Sequence, residues 1–224
     1  MRFLALASDY DGTLAENGLV TQPTLDALEK FKAAGRKLIL VTGRIMADLT
    51  TVFARIDLFD YVVAENGAVL YNPRTGVKRV LGAPPPLAFL DVLGKRCVQP
   101  LTVGDVIVSS DRPHEELALE VIRDLHLNLQ VVLNKNSIMI LPAGIDKITG
   151  LEAALCELGI LPGSVIGIGD AENDYGFLQY CGYSVAVANA LPVLKEIANF
   201  TTAGDDGAGV VELIDMVLRG ELES

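Results

Sequence analysis

The sequence predicts an α/β protein: a doubly wound, mainly parallel sheet with a small α+β domain inserted in it. Three observations carry this. Short apolar runs alternate with segments of helical periodicity from the start of the chain, which implies a parallel sheet covered on both faces. Two of those runs, 3–8 and 164–169, end at once in carboxylates. Between Gly82 and Leu141 the alternation gives way to another order of helices and strands, then returns.

Each element has its own signal. The first buried strand is Phe3-Leu4-Ala5-Leu6-Ala7-Ser8. A helix over 22–34 follows, with Leu25, Leu28 and Phe31 at helical spacing, Pro23 in its first turn and Gly35 as its stop. Lys37-Leu38-Ile39-Leu40-Val41 is the next strand. A helix over 45–56 puts Leu49, Val52, Phe53 and Ile56 on one apolar face. Tyr61-Val62-Val63-Ala64 is the third strand, and 68–71 with 77–80 reads as a hairpin around Asn72-Pro73-Arg74-Thr75-Gly76. Gly82-Ala83-Pro84-Pro85-Pro86 is a linker. The insert then reads as a helix to about 98, a short strand near Leu101, a strand over 105–109 and a helix over 113–126. Two strands, 129–133 and 137–141, close it, antiparallel if they form a hairpin. After Pro142-Ala143-Gly144, the helix 147–158 has Ile148, Leu151, Leu155 and Leu158 on one face and Gly159 as its stop. A strand ending at Asp170, a helix to about 180, a strand over 184–188 and a helix over 192–198 follow. A short strand at Phe200 and a helix over 207–218 complete the chain.

The chain has 224 residues, room for one large domain or a domain with an insert. Its composition, 50% apolar and 21% charged, suits a globular protein with a substantial core. The formal net charge of -11 argues against nucleic acid as a partner, since that needs a basic footprint. It also repels anionic substrates, so a phosphate site must make its own local positive field. Cys97, Cys156 and Cys181 are odd in number and widely spaced, with neither metal spacing nor a disulfide framework. They are expected to be buried, reduced thiols in a cytoplasmic protein. The first apolar stretch is too short for a membrane span and is interrupted by Asp9. It lacks a small-residue cleavage site, so neither a membrane partner nor a signal peptide is expected. The composition carries no oligomeric state.

The chemistry starts at Asp9-Tyr10-Asp11-Gly12-Thr13. Open parallel sheets hold their active sites outside strand carboxyl ends, and charge is costly there unless it is paired or binds a metal. Asp-x-Asp with a turn glycine predicts a divalent-metal and nucleophile site. The plain alternative is an acidic surface turn. Asp170-Ala171-Glu172-Asn173-Asp174 ends a second strand. Asp170 and Asp174 are four apart, so a helix starting here puts both near one face. Together the two sites make a receptor for one hard cation, since magnesium takes one or two carboxylates plus substrate phosphate oxygens. Thr42 is a phosphate ligand or the cap of the next helix. Lys147 opens a helix, where lysine is disfavoured without a reason. Arg44 pairs with Asp48 or another acid, or touches phosphate. His114 and His126 read as surface residues of the insert. The loop Asp111-Arg112-Pro113-His114 can face the site, making Arg112 a candidate substrate contact.

Taken in order, Asp9-x-Asp11, Thr42-Gly43-Arg44, Lys147 and Gly169-Asp170-x-x-Asn173-Asp174 make the chain resemble a haloacid-dehalogenase (HAD) superfamily phosphatase. It most resembles the type IIB, Cof-like group, whose larger cap is inserted after the third core strand. That group includes phosphoglycolate, sucrose-phosphate and mannosyl-phosphoglycerate phosphatases. Glu65-Asn66-Gly67-Ala68 and Ala188-Asn189-Ala190, with Lys195 just beyond, also resemble segments of the group. The resemblance covers nearly the whole chain. It implies a HAD-like Rossmannoid core over 1–81 and 142–224 and a cap over 82–141. It implies Asp9 as the nucleophile that forms an aspartyl-phosphate, and Asp11 as the group that protonates the leaving alcohol and then takes a proton from water. Mg2+ would be held by Asp9, by Asp11 through its backbone carbonyl, and by Asp170. Asp174 would be a further ligand or, with Asn173, would support the others or hold a water ligand. The Thr42 hydroxyl and the Gly43 N–H would bind phosphate oxygens, Lys147 would neutralise Asp9 and phosphate, and Arg44 and Asn66 would be further substrate contacts. The implied function is a magnesium-dependent phosphatase of small phosphorylated metabolites, of sugar-phosphate or phosphoglycolate type. A phosphomutase of the same group is one alternative. A non-catalytic phospho-ligand-binding module is another, and it would be signalled by loss of Asp9 or Asp11. A phosphoacceptor receiver domain would need an acceptor aspartate after the third strand, where Ala64-Glu65-Asn66 stands.

Overall fold

The computed structural model describes residues 3–222. Its larger sheet has eight strands in the order β12-β11-β10-β1-β2-β3-β4-β5. These are β1 (Ala5–Ser8), β2 (Lys37–Val41), β3 (Tyr61–Ala64), β4 (Val69–Asn72), β5 (Val77–Val80), β10 (Val165–Gly169), β11 (Tyr183–Ala186) and β12 (Phe200–Thr201). From β12 to β3 the strands run parallel; β4 and β5 add antiparallel to the β3 edge. β1 is central and buried along its whole length, which is why it reads as an unbroken apolar run rather than an alternating one. The helices are α1 (Gln22–Ala33), α2 (Met46–Val52), α5 (Lys147–Leu158), α6 (Tyr175–Tyr180), α7 (Pro192–Ile197) and α8 (Asp206–Leu218). α1 packs with α8, and α5 with α6 and with β3.

The insert carries α3 (Leu87–Lys95), α4 (Glu115–Asp124) and a second sheet of β6 (Thr102–Val103), β7 (Val108–Asp111), β8 (Leu129–Asn134) and β9 (Ser137–Pro142), in the order β6-β7-β9-β8 and antiparallel throughout. Strand alternation divides its faces. Ile138 and Ile140 of β9 join Val108 and the α3 and α4 residues Phe89, Leu93, Val121 and Ile122 in one cluster. Met139 and Leu141 point the other way and pack with Ile107 and the core residue Ile45. One face of this sheet is thus covered by helices while the other is turned to the larger sheet.

Three expectations need correction. The helix expected over 45–56 ends at Val52, and Ile56–Leu58 is a separate 3-10 turn. Thr50 and Thr51 turn their hydroxyls onto the carbonyls of Met46, Ala47 and Asp48, a bonding habit that weakens a helix. Val52 is exposed rather than on the buried face. The strand expected over 105–109 starts at Val108 instead. Its first residues are captured elsewhere: Asp105, Val106 and Ile107 donate their backbone N–H groups to the carboxylate of Glu65 at 2.8, 2.7 and 2.9 Å. The cysteines are unpaired, but Cys97 and Cys156 are exposed and Cys181 is half-buried. Cys97 lies in the turn after α3, and Cys156 lies on the outward side of α5.

Candidate active site

β1 and β10 are neighbours, and the strand order runs away from them in opposite directions. Their carboxyl ends therefore form a switch point, where open α/β sheets hold ligands. Ser8 pairs with Ile168, and the Asp9 amide extends the ladder by donating to the Ile168 carbonyl at 3.0 Å. Asp9 and Asp170 thus leave the sheet side by side. Asp174 joins them not from a shared helix face, as its spacing suggested, but through the 3-10 turn Glu172–Asp174. Its Oδ2 accepts from the backbone N–H groups of Asp170 and Ala171 at 2.8 and 3.0 Å. Ligand atoms of Asp9, Asp170 and Asp174 lie within 4.8 Å of one another, and all three residues are buried.

α5 delivers a cation into this cluster. Its cap, Asp146, accepts from the Thr149 N–H at 3.0 Å, so the helix starts at Lys147. Two glycines let it come close. A Cβ on Gly67 would lie 1.7 Å from the Asp146 carbonyl oxygen, and one on Gly150 would lie 2.2 Å from Val63 Cγ1. Lys147 is only 1% exposed, so it is not a solvated first-turn lysine. Its Nζ donates to Asp9 Oδ1 and to Asp174 Oδ1, both at 2.5 Å.

The electrostatics follow from crowding. Burial raises the Asp9 pKa well above the usual carboxylate range; Asp174 adds to this, Lys147 pulls it back, and Asp170 adds again. Asp170 is raised too, by burial and then by Asp174, against the pull of Lys135 and Thr13. Burial pulls the Lys147 ammonium down, but Asp174 and Asp9 outweigh it and its pKa is raised. A site of this kind favours one more positive charge.

Asp170 shows where that charge fits. Thr13 donates to its Oδ1 at 2.9 Å. Lys135 Nζ forms an ion pair with its Oδ2 at 2.5 Å, but outside hydrogen-bond geometry, so among the described residues this buried oxygen has no hydrogen-bond donor. Gly12 leaves the space beside it: a Cβ there would lie 2.5 Å from Asp170 Oδ2. Among the described residues, three buried carboxylates converge here. An all-oxygen donor set with a buried oxygen that lacks a hydrogen bond suits a hard divalent cation.

The remaining candidates divide. Thr42, Gly43, Arg44 and Asp11 line a cleft of about 880 Å³ with Asp9. Thr42 does not cap α2, whose N-cap is Ile45; its Oγ1 accepts from the Arg44 N–H at 3.1 Å. Arg44 holds both oxygens of Asp11, at 2.6 and 2.7 Å, and Asp48 at 2.6 Å. Asp11 therefore sits at the rim, and its carboxylate is not part of the buried triad. Asn66 is buried, outside the cleft lining, and accepts from Asn173 Nδ2 at 3.1 Å. Arg112 is not brought to the cleft either: from the turn that precedes α4 its guanidinium pairs with Glu115, the first residue of that helix, at 2.9 Å.

Four residues were missed in the sequence. Thr13 reads as a turn residue. Glu65 has a positive φ and ties the end of β3 to the insert through its three backbone hydrogen bonds. Met139 packs its methyl over Gly43. Lys135, at the tip of the β8–β9 hairpin, reaches the cluster from the insert. The only sequence signal for it was a lysine in a tight Asn134-Lys135-Asn136 turn.

Comparison with known proteins accords with this geometry. The family model for haloacid dehalogenase-like hydrolases matches residues 6–80 and 100–214. The chain belongs to the haloacid dehalogenase-like hydrolase family, and it is a hydrolase. It is 30% identical to phosphoglycolate phosphatase 2 of Saccharolobus solfataricus, over 97% of this chain and 93% of that protein. It is 32% identical to phosphoglycolate phosphatase of Methanothermobacter thermautotrophicus, over 94% and 96%. The solved structure of a HAD subclass IIB sugar phosphatase superposes with a TM-score of 0.77 at 21% identity, covering 96% of this chain and 98% of that one; this likeness shows the fold. Among the described residues, no helix is long and apolar enough to cross a membrane.

Proposed function

We propose that this chain is a magnesium-dependent phosphatase of small phosphorylated metabolites, of phosphoglycolate or sugar-phosphate type, acting through an aspartyl-phosphate on Asp9. The observation that carries the reading is the buried Asp9–Lys147–Asp174–Asp170 cluster, set at the switch point and opening into a cleft under the insert. The phosphatase relatives support the reaction class. We divide the chain into a core of 1–81 and 142–224 and a cap of 82–141 that closes over Asp9 and excludes bulk water. The unpaired cysteines suit a cytoplasmic setting.

Asp9, Asp170 and the Asp11 backbone carbonyl would hold the cation, and Asp174, bonded to the Asp170 and Ala171 amides, would keep Asp170 in place. When bound, the cation screens the repulsion between an anionic nucleophile and an anionic phosphate. Everything else falls to the protein. Lys147 fixes Asp9 by one oxygen, leaving the other to attack phosphorus. The Thr42 hydroxyl and the Gly43 N–H hold phosphate oxygens as charge builds on them. Asp11 turns in from Arg44 and enters the step carrying a proton; as the Asp9–phosphorus bond forms, the bond from phosphorus to the alcohol oxygen breaks and Asp11 gives that proton to the oxygen. Asp11 then takes a proton from a water, which attacks phosphorus and frees Asp9.

Release of inorganic phosphate from a panel of phosphorylated metabolites tests this. With magnesium, at least one small ester should be turned over; a chelator should abolish turnover and calcium should restore little of it, because calcium takes more ligands at longer distances. Full activity in metal-free protein would overturn the reading. Moving phosphate between positions of a sugar without releasing it would make the chain a phosphomutase.

Magnesium should also raise the melting temperature, with a defined pH dependence. Asp9 and Asp170 hold protons to higher pH in the folded than in the unfolded chain. The cation-free protein therefore loses stability as pH rises from the ordinary carboxylate range through their raised values. A cation replaces those protons, so its stabilising effect should grow with rising pH and shrink towards acid. A magnesium shift independent of pH would show that the cation sits elsewhere.

A further inference from the structure

The cap reaches the acidic cluster with a single charge. Lys135 has φ 51° at the hairpin tip, and its backbone N–H donates to Glu172 Oε2 at 3.0 Å. That bond docks the tip beside the end of β10 and lets the side chain run inward. Its side chain is 48% exposed, while its ammonium lies against the buried Asp170 carboxylate.

The charge balance of the cleft makes Lys135 distinctive. Its lining contains five acids, Asp9, Asp11, Glu16, Asp48 and Asp206, and two cations, Arg44 and Lys135. Until Asp11 turns in, Arg44 is committed to Asp11 and Asp48. Lys147 lies beneath, between Asp9 and Asp174. An anionic substrate is therefore repelled by the walls except where Lys135 stands. Lys135 in turn leans on Asp170 Oδ2, the buried oxygen that lacks a hydrogen bond and suits a cation. A divalent cation there would repel the ammonium and release it into the cleft. Asn136 and Ser137, neutral hydrogen-bonding groups, flank it on the lining.

We propose that Lys135 is the residue that reads the leaving group, by pairing with a second negative charge on it such as a carboxylate a few bonds from phosphorus. This rests on the phosphatase reading and narrows its substrate class. Sugar phosphates without an acid group are then poorer substrates.

The experiment compares 2-phosphoglycolate with 2-hydroxyethyl phosphate, which differs only in having a hydroxymethyl group for the carboxylate. Wild type should favour the carboxylate ester in kcat/KM by about tenfold or more, a modest figure for a half-exposed ion pair. Lys135→Met should erase most of that preference, chiefly through KM, and Lys135→Arg should retain it. An unchanged preference in Lys135→Met, or equal losses on both esters, would overturn the proposal. A binding arm needs no turnover. With magnesium present, calorimetry should show 3-phosphonopropionate binding more tightly than propylphosphonate to wild type but not to Lys135→Met. If that difference appears and no ester is hydrolysed, the catalytic reading fails and the role of Lys135 stands. If esters are hydrolysed without charge preference, the reverse holds. Lys135→Met should also bind magnesium several-fold more tightly, because the competing ammonium is gone; equal or weaker affinity would contradict the displacement.

Discussion

Asp9→Asn should lower phosphate release by about 10³-fold or more while leaving the fold intact. Asparagine keeps the shape of the side chain but removes the attacking charge. The site tolerates the change structurally, because Lys147 keeps Asp174 at 2.5 Å, and the crowding that burial and Asp174 impose on Asp9 is relieved. The melting temperature should accordingly move by only a few degrees, and circular dichroism should match wild type. Turnover close to wild type, with contaminating phosphatase excluded, would remove Asp9 from the mechanism. A large loss accompanied by unfolding would be uninformative about attack, which is why both readouts belong together.

Lys147→Met should damage both stability and activity. Methionine fills much of the volume of the stem but leaves Asp9 and Asp174 facing each other with no buried cation between them. Removing one partner of a buried ion pair costs about 3–5 kcal/mol, and Lys147 serves two carboxylates. The loss should be largest in metal-free protein near neutral pH. It should shrink as pH falls, because protonated acids need no counter-charge, and magnesium should recover part of it. Activity should stay low even where magnesium restores folding, since among the described residues no other group donates to Asp9 Oδ1. Denaturant melts across pH, with and without magnesium, check the first part; turnover in refolded samples checks the second. A variant as stable and as active as wild type would mean that the ammonium is dispensable.

Much of this site was legible because its residues sit at the ends of strongly patterned elements. Asp9 and Asp170 each follow a fully buried apolar strand, and Lys147 opens a helix whose start and Gly159 stop are both written locally. Once strands β1 and β10 are neighbours in a parallel sheet, their carboxyl ends must coincide, and the acids meet. What escaped depends on contacts distant in the chain. Val106-Ile107-Val108 looks like one strand, yet its first two residues are bound to Glu65, some 40 residues earlier. Arg112 looked like a site residue because it follows a strand of the insert, but nearby Glu115 satisfies it. Lys135 looked like an ordinary turn lysine. Its position follows from where the insert's sheet rests on the core, through Met139 over Gly43 and the Glu65 tie, and neither contact has a local signature. Helix α2 is short for the opposite reason: a local one, Thr50 and Thr51 bonding back onto their own helix, outweighed the apolar spacing.

The central claim is covalent: phosphate passes through the carboxylate of Asp9. Its most direct measurement is borohydride trapping during turnover. An aspartyl-phosphate is an acyl phosphate, and hydride reduces it to homoserine while phosphate leaves. Quenching the enzyme with borohydride within the first turnover, followed by peptide mass spectrometry, should place homoserine at position 9, only when ester and magnesium are both present. Homoserine at Asp11, Asp170 or Asp174 instead, or none at any aspartate while phosphate is being released, would contradict the account.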